Sequence, residues 1–91
     1  MNAKIEFSVM ENGKKRFLPL SDFATGARFS FTSQNGIKRG FKNALKRMNN
    51  TLHFNFGSTE VFCEAYLIDE NGRKTNDKPI ATAYFKPQFI F

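Results

Sequence analysis

The stretch NGIKRGFKNALKRMN, residues 35–49, predicts an amphipathic helix, the one clear helix signal in the chain. At about 100° per residue, its apolar side chains fall within an arc of about 100°, which is the width of a stripe that faces a hydrophobic core. We expect Ser33 or Asn35 to cap the start of this helix and Asn49 or Asn50 to cap its end. The apolar stripe consists of Ile37, Phe41, Ala44, Leu45 and Met48.

The rest of this helix surface is strongly basic. Between residues 23 and 57 the chain has six lysines and arginines and no acidic residue. The whole chain has 14 basic and 8 acidic residues, so removing these six leaves eight of each, and the net charge of +6 comes entirely from this segment. Lysines four residues apart on a helix repel one another by about 0.2–0.5 kcal/mol per pair. The six cations are Arg28, Lys38, Arg39, Lys42, Lys46 and Arg47.

Alternating apolar residues predict strands on both sides of the helix. Ile5, Phe7 and Val9 alternate with polar residues, and the dipeptide Asn12-Gly13 is typical of a hairpin turn. Further strands are expected in ARFSFTS, TLHFNF, EVFCEAYLI and PIATAYFKP, and the sheet gains another strand if QFIF also pairs. The segment EVFCEAYLI is apolar on both faces, as a central strand would be.

These elements predict an α+β fold in a single domain, residues 1–91. We expect a mainly antiparallel sheet of five to six strands with one helix, about 36–49, packed on one face. A small β-barrel with one helix is the alternative, because a barrel also removes exposed strand edges. The predicted core includes Phe7, Phe31, Phe41, Leu45, Phe54 and Leu67.

Several classes of protein do not fit this sequence. Cys63 is the only cysteine, so no intramolecular disulfide can form, and we expect it to be a small buried side chain. No run approaches the roughly 18 apolar residues of a membrane span, and the first residues lack the pattern of a signal peptide. We therefore expect a cytoplasmic protein that does not insert into membranes.

The sequence contains few residues or motifs that indicate catalysis. His53 is the only histidine, and in a strand TLHFNF it would lie opposite the phenylalanines, exposed or at a sheet edge. No nucleophile or carboxylate stands near it in sequence. The segment with Asp69, Asn71 and Gly72 has the wrong spacing for a calcium loop, and there is no glycine-rich phosphate loop or Cys/His cluster. We expect a protein that is not an enzyme and has no cofactor or metal.

The localised positive charge therefore carries the functional hypothesis. A basic face attracts an anionic macromolecule, and nucleic acid is the first candidate because phosphate contacts require clustered lysine and arginine. The alternative is a protein-interaction or inhibitor module that docks on an acidic protein surface, such as one that receives nucleic acid. A merely solvated basic surface is the third interpretation. The six cations named above are the predicted partner-binding residues.

The apolar C-terminal segment AYFKPQFIF adds one expectation about assembly. An exposed terminal strand of this composition would be prone to associate with other apolar surfaces or strand edges. We expect residues 88–91 to pack on the domain or to pair with a second copy, which would give a homodimer.

Overall fold

A computed structural model describes residues 1–18 and 26–88, and it has one helix packed against an open antiparallel sheet of five strands. The predicted α+β fold is confirmed. The barrel alternative is wrong, because the strand order has two ends and the sheet does not close. In chain order the elements are β1 (Asn2–Glu11), β2 (Lys14–Phe17), β3 (Arg28–Ser30), α1 (Gln34–Phe56), β4 (Val61–Ile68) and β5 (Ala81–Phe85).

The first hairpin forms as its turn sequence predicts. Asn12 and Gly13 both have positive φ, 54° and 77°, which is the backbone conformation of a tight turn that matches the twist of two antiparallel strands. Glycine adopts this conformation without steric cost, and asparagine is among the few other residues that tolerate it. The turn therefore sets the register in which Glu11 of β1 lies opposite Lys14 of β2.

The sheet has the order β2-β1-β4-β5, and β3 also pairs with β1. Strands β2 and β3 use different parts of β1, because β3 pairs with residues 2–4 and β2 with residues 8–11. Strand β4 lies between β1 and β5, which confirms the prediction of a central strand. Strand β5 stands at one end of this order.

The helix is longer than its predicted range. It begins after Ser33, whose hydroxyl accepts a hydrogen bond from the Gly36 N–H, and it ends at Gly57, whose φ is 70°. The predicted strand TLHFNF is therefore wrong, since these residues form the last turns of α1. Leu52 and Phe56 lie four and eight residues after Met48, so the apolar stripe continues with helical spacing and its packing outweighs the low helix propensity of the asparagines.

The core lies between α1 and the sheet face that it covers. Phe7, Phe31, Phe41 and Leu45 are buried as predicted, and Leu67 is partly buried against the same cluster. Phe54 was predicted in the core and is 87% exposed, because in a helix it points away from the stripe. Cys63 is buried as expected, and burial raises the pKa of its thiol to about 12.

One prediction falls largely outside the described residues. It concerns residues 89–91, the greater part of the segment 88–91 that is expected to pack on the domain or to pair with a second copy.

The buried hydroxyl of Ser8, on the sheet face away from α1, leads to a prediction about stability. It lies on β1, its side chain is 1% exposed, and its hydroxyl has no hydrogen-bond partner in the described part of the chain. An unsatisfied buried hydroxyl costs about 1–3 kcal/mol. Ser8→Ala should therefore raise the free energy of unfolding by about 1 kcal/mol in urea denaturation. The exposed control Ser58→Ala should change it by less than about 0.5 kcal/mol, and a Ser8→Ala protein less stable than the parent would contradict the prediction.

Candidate functional site

Three lysines form a row along one flank of α1. Lys38, Lys42 and Lys46 are all exposed and recur every four residues. Successive members are about 6 Å apart along the helix axis, so their side chains stand one above the other. We call these three residues the lysine row. The buried stripe faces the sheet, and the lysines lie beside this stripe on the helix surface, so their side chains stay outside the core.

The lysine row borders a groove between α1 and β5. Lys38 and Lys42 line this groove, and the apolar side chains next to them on the helix line it too. Residues 80–83, at the start of β5, form the opposite wall. We call this feature the α1–β5 groove. Its apolar lining residues are Ile37, Phe41, Leu45, Ile80, Ala81 and Ala83.

The same edge of the molecule continues past Lys46. Lys46 lines a second concavity together with Asn49, Phe85, Lys86 and Gln88. Asn49 fixes the chain here, because its side-chain amide donates to the Gln88 carbonyl at 2.6 Å and its amide oxygen accepts from the Gln88 N–H at 2.9 Å. The chain after β5 is thus tied to the helix, and Lys86 extends the run of positive charge.

The arginines of the predicted site lie elsewhere. Arg39 lines a separate concavity near the start of α1, together with the N-terminal residue and residues 30–33. Arg47 donates hydrogen bonds to the Arg28 carbonyl at 2.9 Å and to the Gly26 carbonyl at 3.4 Å, so it joins the helix to β3. The side chain of Arg28 lies beside Gly72, in a concavity that Asp69 and Glu70 also line. The three arginines therefore lie apart from the lysine row, and the six predicted cations do not form a single surface.

The lysine row has no acidic counterpart in the described residues. The ion pairs found within residues 1–18 and 26–88 are Lys15–Glu64, Arg16–Glu11 and Lys74–Glu6, and none of them involves α1. The helix itself contains no aspartate or glutamate. The positive potential of the lysine row is therefore left for solvent or for a partner to balance.

Next to the groove, strand β5 has an edge that no strand of the described residues pairs with. In the described part of the chain it pairs with β4 alone. Its sequence, ATAYF, contains neither a charged residue nor a proline. Natural edge strands are commonly protected against pairing by lysine, proline or a bulge. Here the lysines stand on the neighbouring helix, and the strand itself carries none.

The sheet face opposite the helix is organised differently. The Lys15 ammonium lies 5.2 Å from the ring centre of Phe17 and 5.1 Å from that of Phe62, and it also pairs with the buried carboxylate of Glu64. Phe62 contacts Tyr84 with ring centres 5.0 Å apart. This lysine is neutralised within the protein, so the face has less unbalanced charge to offer a partner than the lysine row does.

In the described ranges, the histidine and the acidic residues do not form a metal site. Among the described residues, no three His, Cys, Asp or Glu side chains come together as ligands. His53 was predicted on a strand face and instead lies in the last turns of α1, partly buried, where its carbonyl accepts from the Gly57 N–H. The thiol of Cys63 is enclosed in the core, where its raised pKa of about 12 keeps it protonated.

Sequence reasoning did not identify the β5 side of the site. Nothing in the spacing of residues 80–86 indicates that this strand lies beside the helix flank that carries the lysine row. Asn49 or Asn50 was expected to cap the end of the helix, whereas α1 continues to Phe56 and Asn49 is buried within it and holds residue 88. The apolar stripe continues with helical spacing through Leu52 to Phe56 and is followed by Gly57. This pattern is the signal that indicates the correct end of the helix.

Comparisons with known proteins give no further indication. No protein-family model matches the chain, and neither a curated protein nor a solved structure matches it at a significant level. Over residues 1–18 and 26–88, no helix combines the length and the apolar composition needed to cross a bilayer.

Proposed function

We propose that this protein is a non-catalytic binding module that recognises an acidic partner protein through the lysine row and the α1–β5 groove. One observation carries the proposal: Lys38 and Lys42 line the same groove as the apolar side chains of α1 and the first residues of β5. Charge at the margin of an apolar surface is the usual composition of a protein–protein interface, in which the apolar part is covered and the polar rim is left in contact with water.

The apolar lining favours a protein over a nucleic acid. Phosphate recognition needs clustered cations, and it makes no use of an apolar groove such as that between Ile37 and Ala83. An acidic protein segment uses both features, because its carboxylates approach the lysines while its apolar side chains enter the groove. The charges would chiefly speed the encounter and select the partner, and the apolar contacts would hold it.

Nucleic acid is the second candidate, and the exposure of Arg39 together with the lysine row favours it. If these four cations contacted four phosphates of a duplex, the logarithm of the association constant would fall with a slope of about −3.6 against the logarithm of salt concentration. Affinity would then drop roughly a hundredfold between 50 and 200 mM salt. A protein interface with an apolar centre should have a shallower dependence.

The charge-reversal variant Lys38→Glu/Lys42→Glu/Lys46→Glu tests the site. A matched control, Lys14→Glu/Arg16→Glu/Arg73→Glu, changes the net charge equally at exposed positions in β2 and in the loop before β5. Both proteins should fold, because exposed substitutions usually change stability by less than about 0.5 kcal/mol each. Binding should be measured by fluorescence anisotropy with three labelled probes: the acidic peptide Val-Thr-Glu-Thr-Val-Thr-Glu-Thr-Val, a single strand of about 20 nucleotides, and its duplex.

We expect the parent protein and the control to bind the peptide, and the lysine-row variant to lose at least tenfold in affinity. Binding of the oligonucleotides with a steep salt dependence, and no binding of the peptide, would establish the second candidate instead. If the lysine-row variant binds every probe as the parent does, the lysine row is only a solvated surface.

A further inference from the structure

We propose that an extended acidic segment of a partner protein adds to β5 as a sixth strand of the sheet and covers the α1–β5 groove. The inference rests on the proposed function and specifies the form that the acidic partner takes in the site. A strand added to an exposed sheet edge gains affinity from backbone hydrogen bonds, and the pockets beside that edge select its side chains.

The backbone of β5 provides the first part of the argument. Ala81–Phe85 is an edge strand with one partner in the described residues, and it contains no charge or proline that would oppose a second partner. Ala81 and Ala83 line the groove with short side chains. A strand lying alongside β5 would be about 4.8 Å away, so small residues at these positions leave room for the side chains of an incoming segment.

The course of α1 along β5 provides the second part. Residues 37–45 of the helix face residues 80–83, and residues 46 and 49 face residues 85–88, so the two elements run side by side in the same direction. Lys38 and Lys46 are eight residues apart, about 12 Å along the helix. Residues four apart on a strand are about 13 Å apart and lie on the same face. Two acidic residues with this spacing would match the two ends of the lysine row.

The charge of the site argues for an acidic partner over a second copy of this chain. In a two-fold dimer with β5 paired to its own copy, both helices would lie on the same face of the joined sheet. The two lysine rows would then face each other across the seam, together with both copies of Lys86. Like charges placed together across an interface strongly weaken association and reject the wrong partner. An acidic segment turns the same positive charge into an attraction.

The probe peptide Val-Thr-Glu-Thr-Val-Thr-Glu-Thr-Val follows from this geometry. Its odd-numbered residues share one face of a strand. On this face the two glutamates are four residues apart, and the valine between them is meant to enter the groove. Because successive N–H groups of a strand point to opposite edges, two methylated forms can be compared. One carries N-methyl groups on its odd-numbered residues after the first, and the other carries them on its even-numbered residues.

Strand addition predicts that one of the two methylated peptides loses at least tenfold in affinity while the other binds like the unmodified peptide. The loss occurs when the methyl groups face β5 and block its hydrogen bonds, and methyl groups on the outer edge have no such effect. In NMR spectra of the labelled protein, the peptide should shift the amide signals of residues 80–86 and of the helix flank, and those of β2 should stay in place. A peptide in which lysine replaces glutamate should not bind.

The outcomes separate the inference from the proposed function. If the acidic peptide binds and depends on the lysine row, but both methylated forms bind equally, strand addition is wrong and the proposed function stands. If the peptide does not bind and the oligonucleotides do, both fall. If analytical ultracentrifugation shows a dimer that Ala83→Lys dissociates, with the fold of the variant verified by circular dichroism, a second copy occupies the edge and the inference is overturned.

Discussion

Phe41→Ala is expected to lower the free energy of unfolding by about 3–5 kcal/mol, whereas Phe54→Ala should change it by less than about 0.5 kcal/mol. The two phenylalanines lie on the same helix and were both predicted in the core from sequence. Phe41 is 6% exposed and Phe54 is 87% exposed. The same chemical change is therefore expected to destabilise the protein strongly at position 41 and hardly at all at position 54.

The cost at position 41 has two sources. Removing the ring forfeits the transfer free energy of a buried aromatic side chain, and it leaves a cavity that the surrounding structure fills only in part. Phe29 loses a ring neighbour as well, because its ring centre lies 6.3 Å from that of Phe41. At position 54 the ring already stands in water, so its removal takes away little packing.

Urea denaturation and thermal melting of both variants provide the measurement. For a domain of this size, a loss of at least 3 kcal/mol corresponds to a melting temperature lower by roughly 12 °C or more. Phe54→Ala serves as the internal control for the general effect of losing an aromatic side chain from α1. Equal melting temperatures for the two variants would contradict the extension of the helix through residue 56.

Gly40→Ala should destabilise the protein by about 1–2 kcal/mol, although alanine is the better helix former. On propensity alone, the replacement of a glycine inside a helix by alanine gains up to about 1 kcal/mol. The tertiary contact opposes this gain, since a Cβ atom at position 40 would lie 2.5 Å from Cδ2 of Phe29 and 3.1 Å from its Cγ.

The ring of Phe29 has little freedom to move away. It is buried, and it packs against Phe31, with ring centres 6.0 Å apart, as well as against Phe41. Forcing an extra methyl group into such packing typically costs about 1–3 kcal/mol. The glycine is therefore required by the close approach of α1 to β3.

Gly36→Ala is the matched control for this substitution. A Cβ atom at position 36 would meet its nearest neighbours at 3.4 Å, an ordinary contact distance, so this variant should be at least as stable as the parent. Both variants should be compared by chemical denaturation under the same conditions. A Gly40→Ala protein more stable than the parent would show that helix propensity outweighs the contact with Phe29.

The candidate site was predictable in part. The spacing of Lys38, Lys42 and Lys46 determines that they share one flank of any helix that buries Phe41 and Leu45, and the structure places all three in solvent. The sequence groups all six cations as partner-binding residues, and it could not show that the three arginines lie apart from the lysine row. Arg47 is hydrogen-bonded to backbone carbonyls of β3 and the preceding loop, and Arg28 points toward Gly72, because the fold brings these segments together.

The wrong prediction of a strand at residues 51–56 has a local cause. Residues 51–56 alternate between polar and apolar, which favours a strand when the segment is taken alone, and the asparagines at 49 and 50 have low helix propensity. The spacing from Met48 to Leu52 to Phe56 fits the helix equally well. Burial of Leu52, which is 0% exposed, decides between the two patterns in favour of the helix.

The elements with local signals are predictable from the amino-acid sequence alone. The dipeptide Asn12-Gly13 makes the first turn, Ser33 (one of the two predicted caps) starts the helix, and a single amphipathic stripe requires an apolar surface to cover it. The position of β5 at the end of the described strand order, beside the lysine row, is visible only in the three-dimensional structure. Strand order and the choice of helix flank depend on contacts between residues far apart in the chain, and these contacts leave no periodic signal in either segment.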